Sequence, residues 1–188
     1  MDRDWQQEWY LFQKNCLNEL RGSPRRPDSF AHLWYLPSFE PCISWTIQTN
    51  ARDSGTVILR RTTWDQIRDG EKFSPHNPLE EVKIKVDRAK GIELAPSITA
   101  TEVYAQAEEL NAILAKGYSA EIPLLLTKEK HVGLDGVVFG FASGTYMRNS
   151  TIEWWGEGPD EWQPFIAWWH QLQEFIEGHF ETSPTPPW

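Results

Sequence analysis

The chain has 188 residues, of which 40% are hydrophobic and 24% are charged, as in a typical globular domain. Eighteen Lys and Arg stand against 27 Asp and Glu, so the formal net charge is −9. Binding to a nucleic-acid backbone requires concentrated positive charge, and this composition therefore argues against a nucleic-acid partner. The same negative charge suits a basic protein partner.

The N-terminal segment MDRDWQQEW has neither the basic nor the apolar region of a signal peptide. No apolar run approaches the roughly 20 residues that cross a bilayer. Cys16 and Cys42 lack the spacing of a zinc site or a disulfide framework, so we expect two buried, reduced thiols. These features predict a cytoplasmic protein without membrane contact, and they leave its oligomeric state open.

The first half of the chain predicts one helix, one loop and one hairpin. Apolar residues at steps of three and four predict a first helix, and they are Trp5, Trp9, Phe12, Cys16 and Leu20. Residues 21–41 are punctuated by proline and are expected to form an ordered loop. Residues 43–48 alternate apolar and polar side chains, and residues 56–64 are rich in β-branched side chains. The two segments are therefore predicted to form a hairpin. Residues 65–79 read as a connection.

The middle of the chain predicts a strand, a helix and a second hairpin. Residues 80–88 alternate apolar and charged side chains, as a half-buried strand does. Thr99 and Glu102 have the spacing of a capping box and predict the start of a second helix. Residues 137–143 and 150–156 predict the second hairpin.

Five of the eleven tryptophans lie within residues 151–171. Pro159 predicts the start of a last helix and Gly178 its end. Its apolar face is expected to hold Trp162, Phe165, Ile166, Trp168, Trp169, Leu172, Phe175 and Ile176, and its polar face Gln163, His170, Glu174 and Glu177. One buried Trp covers about 200 Å² and contributes on the order of several kcal/mol. A packed core therefore explains the cluster without a ligand.

The neighbouring Trp154 and Trp155 should point to opposite faces of their strand. If Trp154 faces the core, Trp155 lies on the other face, where the proline-punctuated loop covers it or where it lines a groove. The groove alternative makes Trp155, Glu153, Glu157 and Asp135 the candidate binding residues. We expect the covered arrangement more than the groove, because large apolar side chains are usually buried.

Catalytic patterns are missing from the sequence. The five histidines have no metal-ligand spacing, and the glycines between residues 133 and 144 lack the strand–loop–helix context of a nucleotide loop. No nucleophile-elbow motif occurs. Nearby carboxylates such as Asp160 and Glu161 suit the first turn of a helix. The sequence therefore predicts no catalytic residue, no metal site and no cofactor.

The C-terminal part of the chain carries a resemblance. The segment GLDGVVFGF, followed by STIEWWGEGPDEWQPFIAWWHQLQEFI, resembles a pattern in small bacterial proteins, some of which are similar to toxin-immunity proteins. The matching positions are Gly133, Asp135, Gly136, Trp154, Trp155, Pro159 and Trp162. The two quoted segments together span about a quarter of the chain. The resemblance implies a hairpin, a Trp-bearing strand and a closing helix, and it carries over no catalytic residue.

These observations predict one α+β domain over residues 1–180 and a Pro-rich flexible tail over 181–188. The domain should hold an antiparallel sheet of about five strands with three main helices packed chiefly on one face. The expected function is non-catalytic protein binding of an immunity-like or adaptor type, with a basic protein partner. The alternative is a small-molecule-binding domain or an enzyme with a pocket near Trp155.

Overall fold

The computed structural model of the protein describes residues 5–22, 28–73, 95–123, 135–145 and 148–182. Its elements, in chain order, are α1 (Trp5–Leu20), β1 (Ser29–Pro37), β2 (Cys42–Thr49), β3 (Thr56–Trp64), α2 (Gln66–Phe73), β4 (Ile98–Gln106), α3 (Ala107–Tyr118), β5 (Val137–Thr145), β6 (Arg148–Trp155) and α4 (Gln163–Thr182). A 3-10 turn over Asp160–Trp162 leads into α4.

The six strands form one antiparallel sheet in the order β4-β3-β2-β1-β5-β6. Strand β1 lies at the centre, so that Leu33 stands opposite Trp45 on β2 and Phe141 on β5. Successive residues of a strand point to opposite faces. Because β1 is apolar on both faces, helices can pack on both sides of it.

Helices α3 and α4 cover one side of the sheet, which we call the α4 face. The core on this side contains Leu33, Ile47 and Leu59 from the central strands together with Trp169 and Leu172 from α4. The indole of Trp169 donates a hydrogen bond of 2.9 Å to the carbonyl of a β5 residue, and this bond ties α4 directly to the sheet.

Helices α1 and α2 cover the other side, which we call the α1 face. Trp9 of α1 lies 5.2 Å from Phe73 of α2 and 6.2 Å from Trp64 at the end of β3, measured between ring centroids. Both cysteines are free and buried here, as the sequence predicts. Burial raises the pKa of Cys16 to about 11 and that of Cys42 to about 12, so both thiols stay protonated.

The α+β class and the antiparallel sheet are confirmed, and both predicted hairpins form. The number and placement of elements differ from the prediction. The described residues hold six strands rather than about five, and four α-helices rather than three. These helices lie on both faces rather than chiefly on one, because apolar residues of β1 and β2 face both ways.

The predicted loop over 21–41 was wrong, because it contains β1, the central strand. Its segment FAHLWYLP is a continuous apolar run broken by one histidine. Such runs are typical of strands that are covered on both faces. The prolines that suggested a loop flank the strand or, as Pro37 does, end it.

The predicted helix start at Thr99 was also wrong, because residues there belong to β4 and the helix begins only at Ala107. The β-branched residues Ile98, Thr99, Thr101 and Val103 favour a strand. The predicted connection over 65–79 contains α2.

Gly178 does not end the last helix, which continues to Thr182. Its φ is not positive, so the helical conformation passes through it. The predicted strand over 80–88 and residues 183–188 of the predicted tail lie outside the described residues.

Candidate functional site

A groove of about 680 Å³ opens on the α4 face, between α4 and the sheet. Its floor comes from four strands, which contribute Tyr35, Ile43, Trp45, Arg61 and Phe139. One side of α4 forms its wall, which includes Trp169, His170, Gln173, Glu174, Glu177, Gly178 and Glu181. A volume of this size falls in the range of small-ligand and side-chain sites.

Strand register brings the floor residues together. Tyr35 on β1 stands opposite Ile43 on β2 and opposite Phe139 on β5, so the three form a row across the sheet. Trp45 stands opposite Arg61 in the next pair of strands. All five point to the α4 face because strand side chains alternate at period two.

The floor is mostly apolar, and its tryptophan is deeply buried. Trp45 is 2% exposed and Trp169 is 1% exposed, and their rings meet edge to face at 6.1 Å. Tyr35, Ile43 and Phe139 are only half-buried. An incoming group would therefore meet these three side chains, while the two tryptophans support them from below.

The wall is acidic. Glu174, Glu177 and Glu181 are spaced by three and four residues, which places them on one side of α4 a helical turn apart. Among the described lining residues, Arg61 carries the one guanidinium group. The groove therefore holds three carboxylates and one permanent cation. The groove therefore carries a negative field, in keeping with the charge of the whole chain.

Glu177 is the best-anchored carboxylate of the wall. One of its oxygens accepts a hydrogen bond of 2.6 Å from the indole of Trp45, and the other accepts one of 2.8 Å from Arg61 Nη1. The Arg61 guanidinium also lies over the Phe180 ring, 4.8 Å from its centroid. These contacts hold the Glu177 carboxylate in one orientation at the base of the groove.

Tyr35, on the strand floor of the groove, carries a hydroxyl group. Its hydroxyl donates a hydrogen bond of 3.2 Å to Glu40 Oε2. Burial, together with the negative charge of Glu40, raises the pKa of Tyr35. The hydroxyl therefore remains protonated at neutral pH and acts as a neutral donor.

The sequence-predicted site lies elsewhere, on the α1 face. Trp155 is half-buried at the end of β6, and its ring lies against Gly136, where an added Cβ would come within 2.4 Å of the indole. Asp135 precedes that glycine and Glu157 follows β6, and both are exposed. The structure thus places Trp155 and Asp135 at the same end of the β5–β6 hairpin.

Glu153, the fourth predicted site residue, joins two elements. It accepts a hydrogen bond of 2.9 Å from Arg21, just after α1, and one of 3.0 Å from the indole of Trp34 on β1. These contacts connect the end of α1 to the sheet. None of the four predicted site residues is among the described lining residues of the groove, and their binding role stays a prediction.

A second polar cluster surrounds Asp69, which is fully buried in α2. Its carboxylate accepts hydrogen bonds from Trp64 Nε1 at 2.8 Å, from the amide and hydroxyl of Ser97 at 2.7 Å each, and from Lys72 at 2.5 Å. Burial alone would raise the pKa of Asp69, but the bonds from Lys72, Ser97 and Trp64 outweigh it and lower the pKa. The charge is therefore retained.

The Asp69 cluster joins α2, the end of β3 and the segment before β4, and all its groups are engaged with one another. The hydroxyl of Ser97 already donates to Asp69, so its proton is not directed at a substrate. We therefore regard this cluster as a clamp between elements rather than a nucleophilic site.

Sequence reasoning missed the groove for two reasons. Tyr35 was assigned to a loop, because residues 33–36 are all apolar and show no alternation. Glu177 was assigned to the outer face of the last helix, whereas it is half-buried and points to the sheet. The repeat of Glu at steps of three and four was the signal that could have indicated an acidic edge.

Across the residues that the structure describes, no group of three or more His, Cys, Asp or Glu side chains could hold a metal ion. Within the same residues, no helix has the length and apolar character needed to cross a membrane. Comparison with known proteins found no matching family model, no matching curated protein and no matching solved structure.

Proposed function

We propose that this protein is a non-catalytic binding protein that recognises a basic protein partner through the groove on the α4 face. The observation that carries the proposal is the acidic wall beside an apolar floor: Glu174, Glu177 and Glu181 line the same groove as Tyr35 and Phe139. A partner segment with both apolar and basic side chains would satisfy both surfaces.

Charge favours this class of partner over an acidic one. The groove carries three carboxylates against one guanidinium, and the whole chain carries a net charge of −9. A positive partner would be attracted at a distance and then paired at contact, which raises its association rate and its specificity. An acidic partner would be repelled both at a distance and at contact.

The immunity-like or adaptor type remains part of this proposal. Its support is the resemblance of the C-terminal segment to small bacterial proteins, some of them similar to toxin-immunity proteins. An immunity protein acts by binding its toxin, and an acidic surface is suited to covering a basic one.

The test is selection from a random displayed-peptide library on the wild-type protein and on the double variant Glu174→Lys, Glu181→Lys. Both residues are exposed, so their replacement should leave the fold intact. We expect the wild-type protein to select peptides that combine Lys or Arg with aromatic or aliphatic residues. Reversing two wall charges should weaken the binding of these peptides by about tenfold or more.

The matched control is Glu19→Lys with Glu71→Lys, which changes the net charge by the same amount. These exposed residues lie on α1 and α2, on the other side of the sheet. Their replacement should change the affinity for the selected peptides by no more than about twofold. An equal loss in both double variants, or no basic consensus on the wild-type protein, would refute the proposed groove function.

A further inference from the structure

We propose that Arg61 is an internal competitor for the cation site of the groove. The carboxylate of Glu177, which Arg61 neutralises in the free protein, is then the point where a guanidinium or ammonium group of the partner binds. This inference rests on the proposed binding function and names the chemical group that the groove recognises.

The contacts of the Arg61 side chain show the chemistry by which the groove would recognise a cation. The guanidinium of Arg61 donates a 2.8 Å hydrogen bond to Glu177 and lies 4.8 Å from the centroid of the Phe180 ring. A carboxylate beside an aromatic face is a favourable environment for a cation. Helix α4 therefore already holds one guanidinium, that of Arg61, in the way that it would hold another.

The pair is able to exchange. The side chain of Arg61 is 34% exposed and that of Glu177 is 20% exposed. An ion pair at such a partly exposed position is worth about 0–1 kcal/mol, so an incoming cation can displace Arg61 at little cost. The Glu177 carboxylate would keep its orientation, because the Trp45 indole donates to its other oxygen.

The other role open to Arg61 is to bind an acidic group of the partner directly. Glu174 and Glu181 stand on the same wall, one turn to either side of Glu177. Their charges would repel an anion and attract a second cation. The two roles predict opposite effects of removing Arg61, which makes the inference testable.

The experiment is a titration with Nα-acetyl-L-arginine amide, which carries one guanidinium and no carboxylate. The reporter is the indole N–H signal of Trp45 in proton–nitrogen NMR spectra, assigned by its loss in Trp45→Phe. That N–H donates to Glu177, so its signal senses a cation at this carboxylate. The indole of Trp64, which donates to the buried Asp69 carboxylate on the α1 face, serves as the internal reference.

We expect a saturable shift of the Trp45 signal in the wild-type protein. Replacement Arg61→Gln should tighten the binding by about fivefold, which corresponds to the loss of one partly exposed ion pair. Replacement Glu177→Gln removes the charge, keeps an oxygen for the Trp45 indole, and should abolish the shift.

The matched control is Arg60→Gln, which lies next to Arg61 on β3 but points to the other face and pairs with Glu102. It removes the same charge from the chain and should leave the binding unchanged within about twofold. The structure of each variant is checked by comparing the remaining NMR signals.

Weaker binding in Arg61→Gln than in the wild-type protein would overturn the inference, as would an absent Trp45 shift in both proteins. If the shift is absent while basic peptides still depend on Glu174 and Glu181, this inference alone fails. If neither the shift nor the peptide selection is seen, the proposed function fails as well. If Arg60→Gln tightened the binding by the same factor, net charge alone would explain the effect of Arg61→Gln. The inference would then be overturned too.

Discussion

His32 shows how far a single side chain is defined by its neighbours. It is 4% exposed on β1, and its Nε2 lies 2.5 Å from the carbonyl of Leu20, at the end of α1. A carbonyl only accepts, so Nε2 carries the proton and donates to it. Nδ1 then accepts from the hydroxyl of Thr46 at 2.9 Å. This neutral tautomer links α1 to two central strands.

Burial lowers the pKa of His32 below its ordinary value of 6.5 in the folded protein. The unfolded chain therefore binds a proton more readily, and the contribution of His32 to stability is complete above about pH 6.5. It is lost as the pH falls from there towards the folded pKa, by up to about 1.4 kcal/mol per pH unit. Urea unfolding at a series of pH values from about 7.5 down to 5 measures this slope.

The variant for this prediction is His32→Gln, whose amide can still donate to the Leu20 carbonyl but does not titrate. It should lose the pH slope attributed to His32. The control His170→Gln changes an exposed histidine of α4 and should keep it. A slope that is unchanged in His32→Gln would show that another group titrates on unfolding.

At the scale of elements, the contact between α3 and α4 depends on one glycine. A Cβ at Gly117 would come within 2.0 Å of the Trp168 ring, so only a glycine lets the two helices approach this closely. The indole of Trp168 also donates a 2.8 Å hydrogen bond to the carbonyl of Ile113. The gap left by the absent side chain is therefore filled by the largest side chain of the facing helix.

The paired replacements Gly117→Ala and Gly178→Ala test this contact, because both glycines lie within helices. Alanine favours a helix over glycine by about 1 kcal/mol. Gly178→Ala should raise the free energy of unfolding by up to that amount, since nothing lies within 4 Å of an added Cβ. Gly117→Ala should lower it by about 1–3 kcal/mol, because the clash with Trp168 outweighs helix propensity.

Thermal and urea unfolding of the two variants give the comparison, with the wild-type protein as the reference. A gain in stability for both would show that Trp168 moves aside without cost, and the close approach of α3 and α4 would then not depend on the glycine.

At the scale of the whole molecule, the sheet order sets which strands are protected. Strand β1 has a strand on each side and helices on both faces, whereas β4, with Tyr104 67% exposed, lies at the edge of the sheet that the described residues form. Protection from exchange depends on burial and on the hydrogen bonds that must open.

Hydrogen exchange measured along the chain should therefore be slowest in β1, with β4 exchanging about tenfold or more faster after correction for intrinsic rates. Separate peptide fragments from the two strands provide the measurement. Equal protection in β1 and β4 would indicate that the molecule opens as one unit, and that edge position has no influence.

Much of the fold could be predicted from local pattern. The β2–β3 and β5–β6 hairpins, α1 and the apolar face of α4 carry their periodicity in the sequence, and the structure confirms them. Strand β1 could not be separated from a loop, because a run that is apolar on both faces has no period. The start of α3 was misplaced because Thr99 and Glu102 match a capping box by chance, while β4 is stabilised by its pairing with β3.

The candidate site depended on the tertiary structure almost entirely. Phe139 is far from Tyr35 and Ile43 in the chain and becomes their neighbour only through strand register. Glu177 joins them because Trp45 and Arg61 offer it hydrogen bonds across the core. No local pattern records a contact between residues more than 100 positions apart.

By itself, the sequence determined the acidic charge, the α+β class, the two hairpins and the burial of the α4 tryptophans. These properties follow from composition and from short-range periodicity, which act residue by residue along the chain. The tertiary structure alone decided that helices cover both faces and that an acidic groove lies beside α4. Both depend on which strands pair in which register, and that pairing is a property of the whole packed molecule.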